Sequence, residues 1–72
     1  PDPGETAILN IEHQEVRQTL TQLREDYRTV IVLRFLSGLS PEETGQVMGR
    51  TPGAVRILQH RALSALRSLL EI

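Results

Sequence analysis

Apolar residues recur at the three- and four-residue spacing of a helix over most of this chain. Between Glu5 and Leu23, the residues Leu9, Val16, Leu20 and Leu23 follow at intervals of seven, four and three, a single stripe that predicts an amphipathic helix. His13 falls on that stripe, while Ile8 and Ile11 point away from it. The next segment, Glu25 to Ser37, opens on two acids, which suit a helix N-terminus. Its Val30, Ile31, Val32, Leu33, Phe35 and Leu36 cover nearly every direction of a helical wheel, the distribution of a central, buried helix. The β-branched run Val30-Ile31-Val32 also fits a strand. No second strand is available in the chain to satisfy its backbone, so a helix is preferred.

Punctuation residues divide the rest. Pro1-Asp2-Pro3-Gly4 blocks both helix and ladder, and residues 1–5 read as the end of an interdomain linker, with one domain over 6–72. Gly38 supplies a left-handed stop. Ser40-Pro41-Glu42-Glu43 then has the Ser-x-x-Glu spacing of a capping box with Pro at the first helical position. That helix is short, because Gly49 ends it and Thr51-Pro52 repeats the cap-plus-proline start. The last helix runs to about Leu70. Its Val55, Leu58, Ala62, Ala65, Leu66 and Leu69 fall within an arc of about 100° and predict the buried side. Gly53, Arg56, Ile57, His60, Ser64 and Arg67 face the other way.

A capped short helix, a glycine turn and a longer capped helix, with ten residues between Ser40 and Thr51, form the sequence pattern of a helix-turn-helix. Gly45 inside the first helix costs about 1 kcal/mol relative to Ala, so close approach of the second helix is expected there. Gly49 provides the positive φ of the turn.

Composition sharpens this picture. In 72 residues only one core fits, and with aromatics at 3% against 39% for all hydrophobic types that core must be aliphatic. There is no cysteine, which removes disulfides, thiolate nucleophiles and thiolate metal sites. His13 lacks a second ligand at metal spacing, so neither a metal nor any other cofactor is expected. No apolar run approaches a membrane span and nothing resembles a signal peptide, so the chain reads as soluble and cytoplasmic.

Charge is distributed unevenly. Residues 1–48 carry eight acids against four arginines, a balance of −4. Residues 49–72 carry Arg50, Arg56, Arg61 and Arg67 against Glu71 alone, a balance of +3, with His60 among them. All eight basic residues are Arg, which suits bidentate contact with phosphate or base edges, although high-GC coding produces the same bias. An ordinary αα-hairpin explains the caps and glycines. It does not explain why the outward face of the last helix alone is basic, and DNA binding does.

These residues also resemble a known family. Leu33-Arg34-Phe35-Leu36-Ser37-Gly38-Leu39-Ser40-Pro41-Glu42-Glu43, continuing through Gly49 to Ala54-Val55-Arg56 and His60-Arg61-Ala62-Leu63, resembles region 4 of bacterial RNA polymerase sigma factors, most nearly the extracytoplasmic-function group. The resemblance covers about residues 16–70. It implies an all-α, four-helix domain with a helix-turn-helix, of the winged-helix-like DNA-binding superfamily and the sigma region 4 type. It further implies that the last helix binds the minus-35 promoter element, that earlier helices hold the polymerase β-subunit flap, and that an anti-sigma factor sequesters the domain. On this basis the candidate DNA-contacting residues are Arg50, Thr51, Pro52, Gly53 and Ala54 at the start of the last helix and Arg56, Ile57, His60 and Arg61 along it.

The chain departs from the family pattern at Thr44-Gly45, where members usually carry Ile-Ala, and at Arg50, where they carry an apolar residue. Looser packing of the motif's first helix is therefore expected. Ile57 and Leu58 stand where the extracytoplasmic group is commonly polar or basic, so the reading face is poor in hydrogen-bonding groups. Two other readings stay open. One is the helix-turn-helix effector domain of response regulators, disfavoured by Arg61-Ala62-Leu63-x-x-Leu66-Arg67 and by the long amphipathic helix before Leu23. The other is a helical module that binds only protein. Catalysis is not expected: there is no Gly-rich phosphate loop, no Ser or His beside a base, and Glu42 and Glu43 are adjacent helical residues that suit capping.

Overall fold

The computed structural model describes residues 13–70, apart from the side chains of His13, Gln14 and Val16, and these residues form four α-helices. The expectations for the linker, for Ile8, Leu9 and Ile11, and for the His13 side chain lie outside that range. Helix α1 covers His13–Leu20, α2 Glu25–Ile31, α3 Pro41–Met48 and α4 Pro52–Leu70. Helix α1 ends in a turn in which the Thr21 hydroxyl donates to the Gln18 carbonyl at 2.7 Å, and Leu20 and Leu23 enter the core on either side.

Helix α2 begins without a side-chain cap from Arg24. Its N-terminus is fixed instead by Asp26, whose Oδ1 accepts from the Tyr27 amide at 2.9 Å. The Arg24 guanidinium grips both Asp26 oxygens at 2.8 and 2.9 Å and lies 4.5 Å over the Tyr27 ring. Regular α geometry stops at Ile31. Val32–Leu36 forms a π-helical turn, closed by Ser37 N–H donating to the Val32 carbonyl at 2.8 Å and by Leu39 N–H reaching the Leu33 carbonyl across left-handed Gly38, φ 72°. The predicted uninterrupted helix to Ser37 is thus corrected in its last turn.

So is its burial on all sides. Val30 and Ile31 are fully buried against α4, Val32, Leu33 and Phe35 are partly covered, and Leu36 is 50% exposed. A bundle of four short helices has too few neighbours to enclose α2 all round. The wide turn is bolted to α4 by Arg34, whose Nε donates to Gln59 Oε1 at 2.8 Å while its Nη1 donates to the Leu39 carbonyl.

The core is aliphatic, as composition requires: Leu20, Leu23, Val30, Ile31, Val55, Leu58, Ala62, Leu63 and Leu66. Helix α4 supplies five of these nine residues and packs on each of the other three helices. Leu63 joins the inward arc, and Leu69, predicted to be buried, is 43% exposed. At about 1.5 Å per residue, α4 is roughly 28 Å long, and in its last turn it is Leu70, not Leu69, that packs against the core. Tyr27, Phe35 and Met48 pack at the margins of the core.

Thr44 and Gly45 are fully enclosed, which overturns the expectation of loose packing at these positions. Thr44 is 0% exposed, and its Oγ1 has no hydrogen-bond partner among the described residues. A hydroxyl buried without a partner carries its desolvation cost uncompensated. Thr44→Val, which keeps the branched shape and removes that group, should raise stability by about 1 kcal/mol and the thermal midpoint by about 4–8 °C. A lower midpoint in calorimetry would show that the hydroxyl is satisfied in solution.

Candidate nucleic-acid interface

Two caps and one tight turn set the geometry of the motif. Ser40 Oγ accepts from the Glu43 amide at 3.0 Å and the Ser40 amide donates to Glu43 Oε1 at 2.8 Å, so the capping box predicted for α3 is complete. Gly49 ends α3 with φ 70°, and the Arg50 amide returns to the Gly45 carbonyl at 2.9 Å. That return brings the turn backbone against Gly45: a Cβ there would stand 2.4 Å from the Arg50 carbonyl oxygen. The close approach inferred for Gly45 is therefore made by the turn, one residue before the α4 cap, and not by α4 itself.

Thr51 starts α4. Its Oγ1 accepts from the Ala54 amide at 3.1 Å and its carbonyl from the Val55 amide at 2.9 Å. Pro52 has no N–H, so the Thr51 and Gly53 amides are the donors of this end left for an outside acceptor among the described contacts. No atom comes within 4 Å of where a Gly53 Cβ would lie, so another backbone can approach closely. A helix N-terminus of this kind favours an anionic oxygen.

The candidate residues from the sequence share one face. Arg50, Thr51, Gly53, Arg56, Ile57, His60 and Arg61 are exposed, and Pro52 and Ala54 are partly covered. Arg50, Ala54, Ile57, Leu58 and Arg61 line a shallow hollow of about 310 Å³, apolar in its floor and flanked by two guanidiniums. Ile57, 57% exposed, separates this hollow from Arg56 and His60 on the other flank. Arg67 belongs elsewhere: its side chain is partly covered and its Nε is buried, so its outward placement is corrected. A long aliphatic stem allows an Arg to lie along a bundle in this way.

Two acids that the sequence assigned only to helix starts reach this basic face. Asp26 Oδ2 lies 3.8 Å from Arg50 Nη2, and Glu42 Oε1 lies 3.6 Å from Arg56 Nη2. Their partners are 24 and 14 positions away, a separation that no local pattern reports. Hydrogen bonds from Arg24, chiefly, and from the Tyr27 amide hold the Asp26 carboxyl below its ordinary range. The Ser40 amide and then its hydroxyl do the same for Glu43.

Both carboxyls favour the folded state when ionised, so their contribution is present above the unfolded values near pH 4 and is lost as pH falls through the lowered folded values. The thermal midpoint should therefore drop on acidification below about pH 4. The drop should be smaller in the Asp26→Asn, Glu43→Gln double variant. An identical pH profile for the two proteins would refute these assignments.

The family described as Sigma-70, region 4 matches residues 13–66, which spans the three shorter helices and most of α4. The chain belongs to this family. Membership carries a DNA-binding role in transcription rather than catalysis. The sigma region 4 chain is 49% identical over 69 residues to the ECF RNA polymerase sigma factor ShbA of Streptomyces griseus, covering 96% of this chain and 36% of that one. It is 36% identical over 70 residues to ECF sigma factor SigX of Bacillus subtilis, at 97% and 36% coverage. With ECF sigma factor BldN of Streptomyces coelicolor it shares 34% identity over 68 residues, at 94% and 26% coverage. The chain thus spans about a third of the length of these relatives. No solved structure matches. Among the described residues, no helix is long and apolar enough to cross a membrane, and no three His, Cys, Asp or Glu side chains group as a metal site.

Proposed function

We propose that this chain is the promoter-recognition domain of an alternative sigma factor, in which α4 lies in the major groove of the minus-35 element. The observation that carries the reading is the gathering of Arg50, Arg56, His60 and Arg61, with the open α4 N-terminus, on one face of the basic last third of the chain. On this reading Arg56 meets a base edge, Arg50, Arg61 and the Thr51 and Gly53 amides meet phosphates, and Ile57 touches a thymine methyl. Residues 1–5 end the linker from a preceding domain, and the protein acts in the cytoplasm.

The earlier helices hold the RNA polymerase β-subunit flap. In support, α2 and α3 flank a second, open hollow of about 490 Å³ whose lining includes the acids Glu25 and Asp26 and the apolar Met48 and Val47, the last 63% exposed. An anti-sigma factor would silence the domain by covering the apolar strip around Ile57.

Few cations face the duplex, so the chain alone binds weakly, and attachment to polymerase supplies most of the affinity. A fluorescence titration with promoter duplex at several salt concentrations tests the reading. With two to four phosphates neutralised, log Kd should change against log salt with a slope of about 2 to 4. Affinity independent of salt, or none for any duplex, would favour a module that binds only protein.

A further inference from the structure

Resting on the reading of α4 as the helix in the groove, we propose that Glu42 is a positioning residue for Arg56 and sets its selectivity between bases and phosphates. The two acids that open α3 have separate tasks. Glu43 closes the capping box on Ser40. Glu42 takes no part in the box and instead faces α4, with its Oε1 3.6 Å from Arg56 Nη2. Both side chains are about three-fifths exposed, at 62% and 60%, so the pair sits in solvent where a duplex would arrive.

An unrestrained arginine on a groove-facing helix serves any phosphate it can reach, and such a contact carries no sequence information. A carboxylate at Nη2 changes this in two ways. It restrains the guanidinium plane while leaving hydrogens on Nε, Nη1 and Nη2 for the two acceptors of a guanine edge. It also offsets part of the positive charge, so that Arg56 gains less from a stray phosphate. Specificity is a difference of affinities, and a group that weakens the wrong complex more than the right one raises it. The pair is loose and exposed, so a well-placed base competes with it at little cost.

The test uses the whole chain and two duplexes, one selected from a random pool by the unaltered protein and one scrambled from the same bases. Binding is read by fluorescence anisotropy at fixed salt. Glu42→Ala and Glu42→Gln should bind the scrambled duplex about two- to fivefold more tightly and the selected duplex no more tightly, lowering the ratio by that factor. Glu42→Asp, which keeps the charge, should retain most of the ratio. In an Arg56→Ala background, removing Glu42 should leave the ratio unchanged.

Equal tightening on both duplexes would reduce Glu42 to general repulsion and overturn the proposal. So would a change in ratio that persists without Arg56. If Arg56→Ala alone leaves the ratio untouched, the base-reading role of Arg56 falls together with the role of Glu42. If Arg56→Ala lowers it and the Glu42 variants do not, only the present inference fails.

Discussion

Replacing Ile31 with Ala should cost about 2–5 kcal/mol, the range for deleting a buried aliphatic side chain and leaving a cavity. Ile31 is, with Leu66, among the largest fully buried side chains of the described residues and lies where α2 meets α4. Nothing nearby can refill the space, because the core around it consists of Leu, Val and Ala side chains already in contact. A domain of this length has about 4–11 kcal/mol of total stability, so the loss is a large part of it. At about 4–8 °C per kcal/mol, the thermal midpoint should fall by about 8–40 °C. Leu36→Ala is the internal comparison: its side chain is half exposed, and its loss should be within about 1 kcal/mol. Equal losses in the two variants, measured by denaturant titration, would contradict the placement of the core.

The second large effect is on DNA. Arg56→Ala should weaken binding to the selected duplex by about 1–3 kcal/mol and relax selectivity at one base position. The side chain is 60% exposed and its sole described ion pair, at 3.6 Å to Glu42, is of a kind that contributes about 0–1 kcal/mol. Its removal should leave the fold intact, which a thermal melt can verify alongside the binding curve. Arg61→Ala serves as the contrast. As a phosphate contact it should weaken all duplexes alike and reduce the salt slope by about 1. Unchanged affinity in Arg56→Ala would remove it from the reading face.

Local signals account for most of what the chain discloses before folding. Ser40-Pro41-Glu42-Glu43, Gly49 and Thr51-Pro52 each act within four residues of themselves, and each does in the structure what its chemistry requires. Val55, Leu58, Ala62 and Leu66 of the inward arc of α4 are legible because helical periodicity depends on the helix alone, whereas buried Leu63 lies outside the predicted arc and Ala65 is only partly covered. Leu69 departs from the arc because the last turn is covered on the side of Leu66 and Leu70, which depends on where the other helices lie. The π turn at Val32–Leu36, the Arg34 bridge to Gln59 and the closure of the turn onto Gly45 arise between elements. The same holds for Asp26 and Glu42. Capping chemistry marked Glu43 correctly but gave its neighbour the same role, since the residue facing α4 is fixed only by the angle at which the turn delivers that helix.

The claim that organises this account is that the outward face of α4 reads promoter DNA. An amide-shift titration of isotope-labelled chain with the selected duplex addresses it residue by residue. The largest shifts should fall on residues 50–61, led by the Thr51 and Gly53 amides and by Arg56, Ile57 and His60, and those at Arg56, Ile57 and His60 should be much smaller with the scrambled duplex at the same concentration. Shifts concentrated instead around the α2–α3 hollow at Thr29 and Val47, with α4 unmoved, would contradict it.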